Sequence, residues 1–256
     1  MWIVLTCSAI FVLTLGAALL GLHTHRKLPP EQKTDGARSI LGQVSGLVSL
    51  LLALVLGTLV GTSYAFFSAQ KTELETLSAQ ILQLDQAFAQ YGPETKPARD
   101  KLKQSVEVAY NTFWGGGQAD PKLLSVSIPI ASAKTTKAYL ASLNPTTEAQ
   151  KQAVAAANTL TGQIEQSRIL MDLQVASHPA SPGLLTVLTI WAVFLFFCMG
   201  VFVESNGLVL STLTFGAVCV AFAIFLILEL GLPYTGMFRV SGAALQAAMT
   251  NIGNEM

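Results

Sequence analysis

The sequence predicts an all-α integral membrane protein with four transmembrane helices and a helical-bundle insert between the second and the third. Three observations carry that prediction. Charged residues make up only 12% of the chain, against roughly 25% in a soluble domain. Three long runs carry no charge, and a fourth carries only Glu229 near its end. Between the second and third runs, from Ser68 to Pro182, the composition changes to Gln, Lys, Glu, Thr and Ala.

The first run, Trp2 to Leu22, is 21 residues long, which at about 1.5 Å per residue just crosses a hydrocarbon core of about 30 Å. A cleaved secretory signal would need a basic leader before a run of about 7–15 apolar residues. Met1-Trp2 provides no such leader and basic residues follow the run, so a retained span is expected. The second run, Ile40 to Phe67, has 28 uncharged residues, more than a bilayer requires, so this helix tilts or projects beyond it. Spans 184–203 and 207–230 are separated only by Glu204, Ser205 and Asn206 and form a tight hairpin. The organisation is therefore a first hairpin over 1–67 (spans 2–22 and 40–67), a water-exposed insert over 68–182, a second hairpin over 183–230, and a tail over 231–256.

Inside the insert, Gln70, Leu74, Leu77, Ile81, Leu84, Phe88 and Tyr91 recur in steps of four and three, the seam of a coiled-coil-like helix. Nothing breaks residues 62–91, so the second span is expected to continue as one helix to Gly92-Pro93. A second amphipathic helix starts at Pro97, with Leu102, Val106, Ala109, Phe113 and Trp114 inward, and stops at Gly115-Gly116-Gly117. A short helix over 133–143 follows. Asn144-Pro145 reads as an N-cap with proline at the first helical position, opening a long helix that buries Val154, Ala157, Leu160, Ile164, Leu170 and Leu173 and ends at 178–182.

The 15 basic and 15 acidic side chains cancel, which leaves no global field to draw nucleic acid. Cys7, Cys198 and Cys219 lie in apolar runs without ligand spacing, and His23 and His25 lack the neighbours that would complete a metal shell. No nucleophile elbow, phosphate loop or zinc motif is present, so neither an enzyme nor a cofactor is expected.

Two adjacent stripes of the second span draw functional expectations. Gly42, Gly46, Ala53, Gly57 and Gly61 contain two GxxxG pairs and are expected to serve helix packing. Ser45, Ser49, Leu52, Leu56 and Ser63 are polar at the ends and leucine-rich between, as in a narrow aqueous path closed by an apolar constriction. The plainer reading, serines bonded to their own helix and leucines facing lipid or a sister helix, stays open beside it. Glu229, at the end of the fourth run, is an intramembrane acid by position, or an interfacial one.

At Leu84-Asp85-Gln86-Ala87-Phe88-Ala89-Gln90-Tyr91-Gly92-Pro93-Glu94, at Pro97-Ala98-Arg99, and again at Glu229-Leu230, Pro233-Tyr234, Gly236 and Arg239-Val240-Ser241, the chain resembles a bacterial family of bestrophin-like membrane proteins. Bestrophins proper are pentameric anion channels whose pore follows the second span. The resemblance implies a homo-oligomer, a pentamer by likeness to bestrophins proper, in a bacterial inner membrane. It also implies a path for small inorganic anions such as chloride along the Ser45 to Ser63 face. This span offers leucines and glycines where those channels use aromatic and branched side chains. A non-conducting sensor or scaffold, whose insert binds a ligand or partner protein, is the competing expectation.

Basic residues predict the orientation. Arg26, Lys27, Lys33 and Arg38 crowd the first loop, against Lys71, Arg168 and Arg239 on the opposite side. The loop is therefore expected in the cytoplasm, and the insert and both termini outside, although bestrophins proper place the equivalent insert inside.

Overall fold

A computed structural model describes residues 2–29, 34–115, 133–176, 182–201 and 203–253. Lys33, the end of the Gly115 to Gly117 break, the 178–181 stretch closing the long helix and Phe202 in the third span lie outside these residues. Among the described residues all regular structure is helical. The elements are α1 (Trp2–Lys27), α2 (Asp35–Tyr91), a 3-10 turn (Pro93–Thr95), α3 (Lys96–Trp114), α4 (Ala133–Ser142), α5 (Glu148–Ala176), α6 (Pro182–Val201), α7 (Gly207–Leu230) and α8 (Ala243–Asn251). Four of them, α1, α2, α6 and α7, are long and apolar enough to cross a membrane.

The chain divides into two compact units, Met1–Phe66 with Pro179–Gly231, and Phe67–His178 with Leu232–Met256. In the first unit α1 packs along α6 and against α7, with Ala18, Leu22, Phe196, Leu213 and Ala217 buried between them. A second cluster joins Leu52 and Leu59 of α2 to Leu188, Ala192 and Leu195 of α6 and Ile227 of α7. The α6–α7 loop is fixed by its own chemistry. Asn206 caps α7 by accepting from the Val209 amide at 2.8 Å, and Arg26 reaches Ser205 Oγ at 2.5 Å. α1 runs five residues past its expected end, which places His25 in its last turn. There Nδ1–H donates to the Val201 carbonyl at 2.7 Å, so His25 caps a neighbouring helix.

In the second unit every position of the α2 seam, from Gln70 to Tyr91, is buried. Its core adds Leu102, Val106, Ala109 and Phe113 of α3, Leu140 of α4 and Ala157, Ile164 and Met171 of α5. The residues after α7 also belong here: Tyr234, Val240, Leu245 and Ile252 lie in the same core, and Leu232–Met256 groups with Phe67–His178. Trp114 fastens it by donating Nε1–H to the Val240 carbonyl at 3.0 Å.

Two details of α5 depart from expectation. The helix starts at Glu148 because Thr147, and not Asn144, caps it: the Thr147 hydroxyl accepts from the Gln150 amide at 3.2 Å while the Gln150 side chain accepts from the Thr147 amide at 3.3 Å. Leu170 and Leu173 are exposed, and Ser167 and Met171 are buried instead. The helical period carries the inward face from Ile164 through Ser167 and Met171 to Gln174, which hydrogen-bonds Gln70.

Candidate functional site

The two stripes of the second span lie in different surroundings within the subunit. Leu52 and Ser63 are buried and Leu56 is half-buried, on the side of α2 that meets α6 and α7. Ser63 is fully buried, and among the described residues its Oγ has no hydrogen-bond partner. Thr58 and Thr62 of the same helix do bond their own backbone carbonyls. Gly42, Gly46, Ala53, Gly57 and Gly61 are all exposed, and a Cβ added to any of the four glycines would meet nothing within 4 Å. Among the described residues the glycine stripe is left open by its own subunit, whereas the Leu52 to Ser63 part of the serine stripe is buried in it.

Ser45 and Ser49 differ from the rest of their stripe. They line an open cavity of about 700 Å³ between the first turns of α2, the end of α6 and the start of α7, with Arg38, Cys198 and Thr212 also on its wall. Arg38 stands a little under two turns before Ser45, a spacing legible in the sequence, whereas Cys198 and Thr212 enter only through tertiary packing.

Glu229 is buried in the last turn of α7, inside the helical unit and not turned to its surface. The close helix crossing falls elsewhere than on the GxxxG pairs of α2. It lies between Gly21 of α1 and Gly200 of α6, and the small-residue pair Ala17 and Gly21, four apart, was the available signal.

The residues from Leu84 to Arg99 build the end of α2 and the turn after it. Asp85, nearly fully buried, receives Arg99 through two parallel bonds, Nε to Oδ1 at 2.8 Å and Nη2 to Oδ2 at 2.9 Å, and the Gly253 amide at 3.1 Å. Gly92 has φ of 133°, which favours glycine. The Thr95 hydroxyl reaches the Phe88 and Gly92 carbonyls, and Gln150 Nε2 donates to the Tyr91 carbonyl at 3.2 Å. These contacts satisfy two of the carbonyls that the end of α2 leaves open, those of Phe88 and Tyr91. A cavity of about 840 Å³ borders this corner, with Gln86, Gln90, Lys96, Arg99 and Asp100 on it.

A second buried polar group in the same unit joins three elements. Tyr234 donates its hydroxyl to Gln70 Oε1 at 2.9 Å, and Gln70 Nε2 donates to Gln174 Oε1 at 2.6 Å. Burial, then the charges of Glu73 and Asp172, push the Tyr234 phenol well above its ordinary range. Burial likewise raises the Asp172 carboxyl, against the opposing pull of Arg168.

A four-span helical membrane protein with a second helical unit is the class these features define. Residues 1–245 match the family model described as the Bestrophin-like domain, and the chain belongs to that family. No curated protein and no solved structure matches it.

Proposed function

We propose that the protein is the subunit of a homo-oligomeric ion channel, with α2 of each copy around the conducting path and small inorganic anions, chloride among them, as the permeant species. In this reading the unit containing Phe67–His178 is the water-exposed bundle inserted between the second and third spans. The observation that carries it is the incomplete covering of α2. Only 11% of its apolar stretch is buried within the subunit, against 28%, 39% and 33% in α1, α6 and α7. The helix has a wide face left over for other copies.

That face carries the glycine stripe, which lets helix backbones approach, with the exposed Leu47, Leu50, Leu51 and Leu54 beside it. A ring of such leucines closes a narrow path by dewetting. The pore therefore falls on this side of α2, while Leu52 and Leu59 hold the helix to its own subunit. Family membership supports a channel through the likeness to bestrophins, and the permeant ion rests on that likeness alone.

The reading is tested by reconstituting the purified full-length chain in liposomes, measuring chloride flux, and weighing the detergent-solubilised particle. Flux from an oligomer, raised by Leu54→Ser, is the expected result. A monomer without flux overturns it. The polar cavity beside Asp85 and Arg99 favours one other reading, a non-conducting sensor whose insert binds a ligand, and that reading predicts an oligomer or monomer that never conducts.

A further inference from the structure

The cavity beside Ser45 and Ser49 is graded from charged to apolar along α2. Arg38 stands at one end, exposed, with no side-chain hydrogen bond or ion pair among the described residues. Beyond it Leu41, Met199, Leu208 and Leu213 make most of the wall, interrupted by Ser45 and Thr212, and the far end is Ser49. From Arg38 to Ser49 the helix rises about 16 Å, roughly half the ~30 Å hydrocarbon thickness. The groove is therefore about one leaflet deep. Gly42 and Gly46 on its wall have open space where side chains would stand, which keeps the trough wide along the α2 backbone.

An occupant of this groove must match a cation at the membrane boundary and a long apolar trough within one leaflet. A non-helical polypeptide would bring backbone donors and acceptors that these walls do not satisfy, and about 700 Å³ over a length of about 16 Å leaves a trough about 7 Å across, too narrow for a helix of about 10–12 Å. Water against leucine and methionine walls is unfavourable. A lipid meets both requirements, because a guanidinium takes a phosphate through two parallel bonds and an acyl chain fills an apolar channel of leaflet depth. We infer that each subunit binds one anionic phospholipid, its phosphate at Arg38 and one acyl chain lying along α2 between α6 and α7. The site belongs to the single subunit and does not depend on whether the protein conducts.

The test uses the full-length chain in an uncharged detergent, offered phosphatidylglycerol or phosphatidylcholine, with retained lipid counted per subunit by native mass spectrometry. One phosphatidylglycerol per subunit is expected, retained about fivefold better than phosphatidylcholine, the order of preference one basic side chain gives for anionic lipid. Arg38→Gln removes the preference, whereas Arg239→Gln, which is not on the groove, leaves it. Gly46→Leu, at a position where an added Cβ meets nothing within 4 Å among the described residues, narrows the trough and lowers retention of both lipids. Equal retention of the two lipids by the natural sequence overturns the inference. So does an Arg38→Gln protein that keeps its preference, or displacement of phosphatidylglycerol by inorganic phosphate alone.

Discussion

Gly21 and Gly200 meet backbone to backbone where α1 crosses α6. A Cβ on Gly21 would stand 2.9 Å from the Gly200 Cα and 2.3 Å from the Phe197 carbonyl oxygen, and a Cβ on Gly200 would stand 2.3 Å from the Ala18 carbonyl oxygen. These neighbours are backbone atoms, which cannot turn aside as a side chain would. Fully buried Thr14 and Ala18 on α1 share the small-residue face, and Thr14 turns its hydroxyl back to the Ile10 carbonyl at 2.9 Å.

Gly21→Val and Gly200→Val are expected to destabilise the membrane unit by at least about 1–3 kcal/mol, the usual cost of overpacking. Gly57→Ala, on the open stripe, is expected to leave the single subunit's stability unchanged. Thermal unfolding of the detergent-solubilised chains checks both. Equal midpoints for Gly21→Val and Gly57→Val would remove the crossing from the account.

Asp85 gathers Arg99 and the Gly253 amide at one buried carboxylate. Asp85→Ala leaves Arg99 without that partner and frees Gly253, with an expected loss of about 3–5 kcal/mol. The region around Ile252 should lose its protection first. Hydrogen exchange that rises at 243–253 in the variant, with the first unit unaltered, is the expected outcome. Unchanged exchange there would mean that the core around Leu245 and Ile252 holds the segment alone.

Much of this architecture was written in periodicity. Each of the seven α2 positions from Gln70 to Tyr91 is buried, and α2 runs unbroken from Asp35 to Tyr91 because neither glycine pairs nor serines outweigh its continuous apolar stretch. The inward face of α5 was less legible, since its register is held by Gln174 bonding Gln70 and not by its largest apolar side chains. The cap at Thr147 was readable as Thr-x-x-Gln, whereas Asn144-Pro145 offered a stronger-looking signal three residues earlier. In α2 the pattern marks two adjacent stripes. Which of them meets α6 and α7 is decided by helix packing across the chain, about which one helix's periodicity is silent. The Leu84 to Arg99 segment is one of those on which the resemblance rests, and its visible work is to end a helix.

Tyr234 sets a stability dependence on alkaline pH. Its folded-state value is raised by burial above the ordinary 10.0, so the unfolded chain releases the phenolic proton first. The stabilisation is full below about pH 10 and is lost progressively as the pH climbs beyond it. Tyr234→Phe removes both the bond to Gln70 and this titration. At about pH 8 the variant should be less stable by about 1 kcal/mol, the net worth of one hydrogen bond. The gap should narrow or invert by about pH 11, and the remaining tyrosines, common to both proteins, cancel from the comparison. A gap that stays constant over that range would contradict the buried, neutral phenol.

Orientation follows from where the basic residues sit along the spans. Arg26 and Lys27 close α1 and Arg38 lies in the first turn of α2, so three cations stand at helix ends on one side, with Lys33 between them in sequence. The residues expected on the other side are Lys71, Arg168 and Arg239, of which Lys71 pairs with Glu75 at 3.9 Å. Cations in a short loop next to span ends set topology more strongly than the same number spread over a long segment. The loop is therefore expected in the cytoplasm, with both termini and the unit containing Phe67–His178 on the opposite side. Alkaline phosphatase fused after Met256 should be active. Fluorescence from a protein that matures only in the cytoplasm, fused at the same place, would reverse the assignment. Replacing Arg26, Lys27 and Arg38 together by Gln should weaken the bias toward this topology, since Lys33 alone then opposes three cations on the far side.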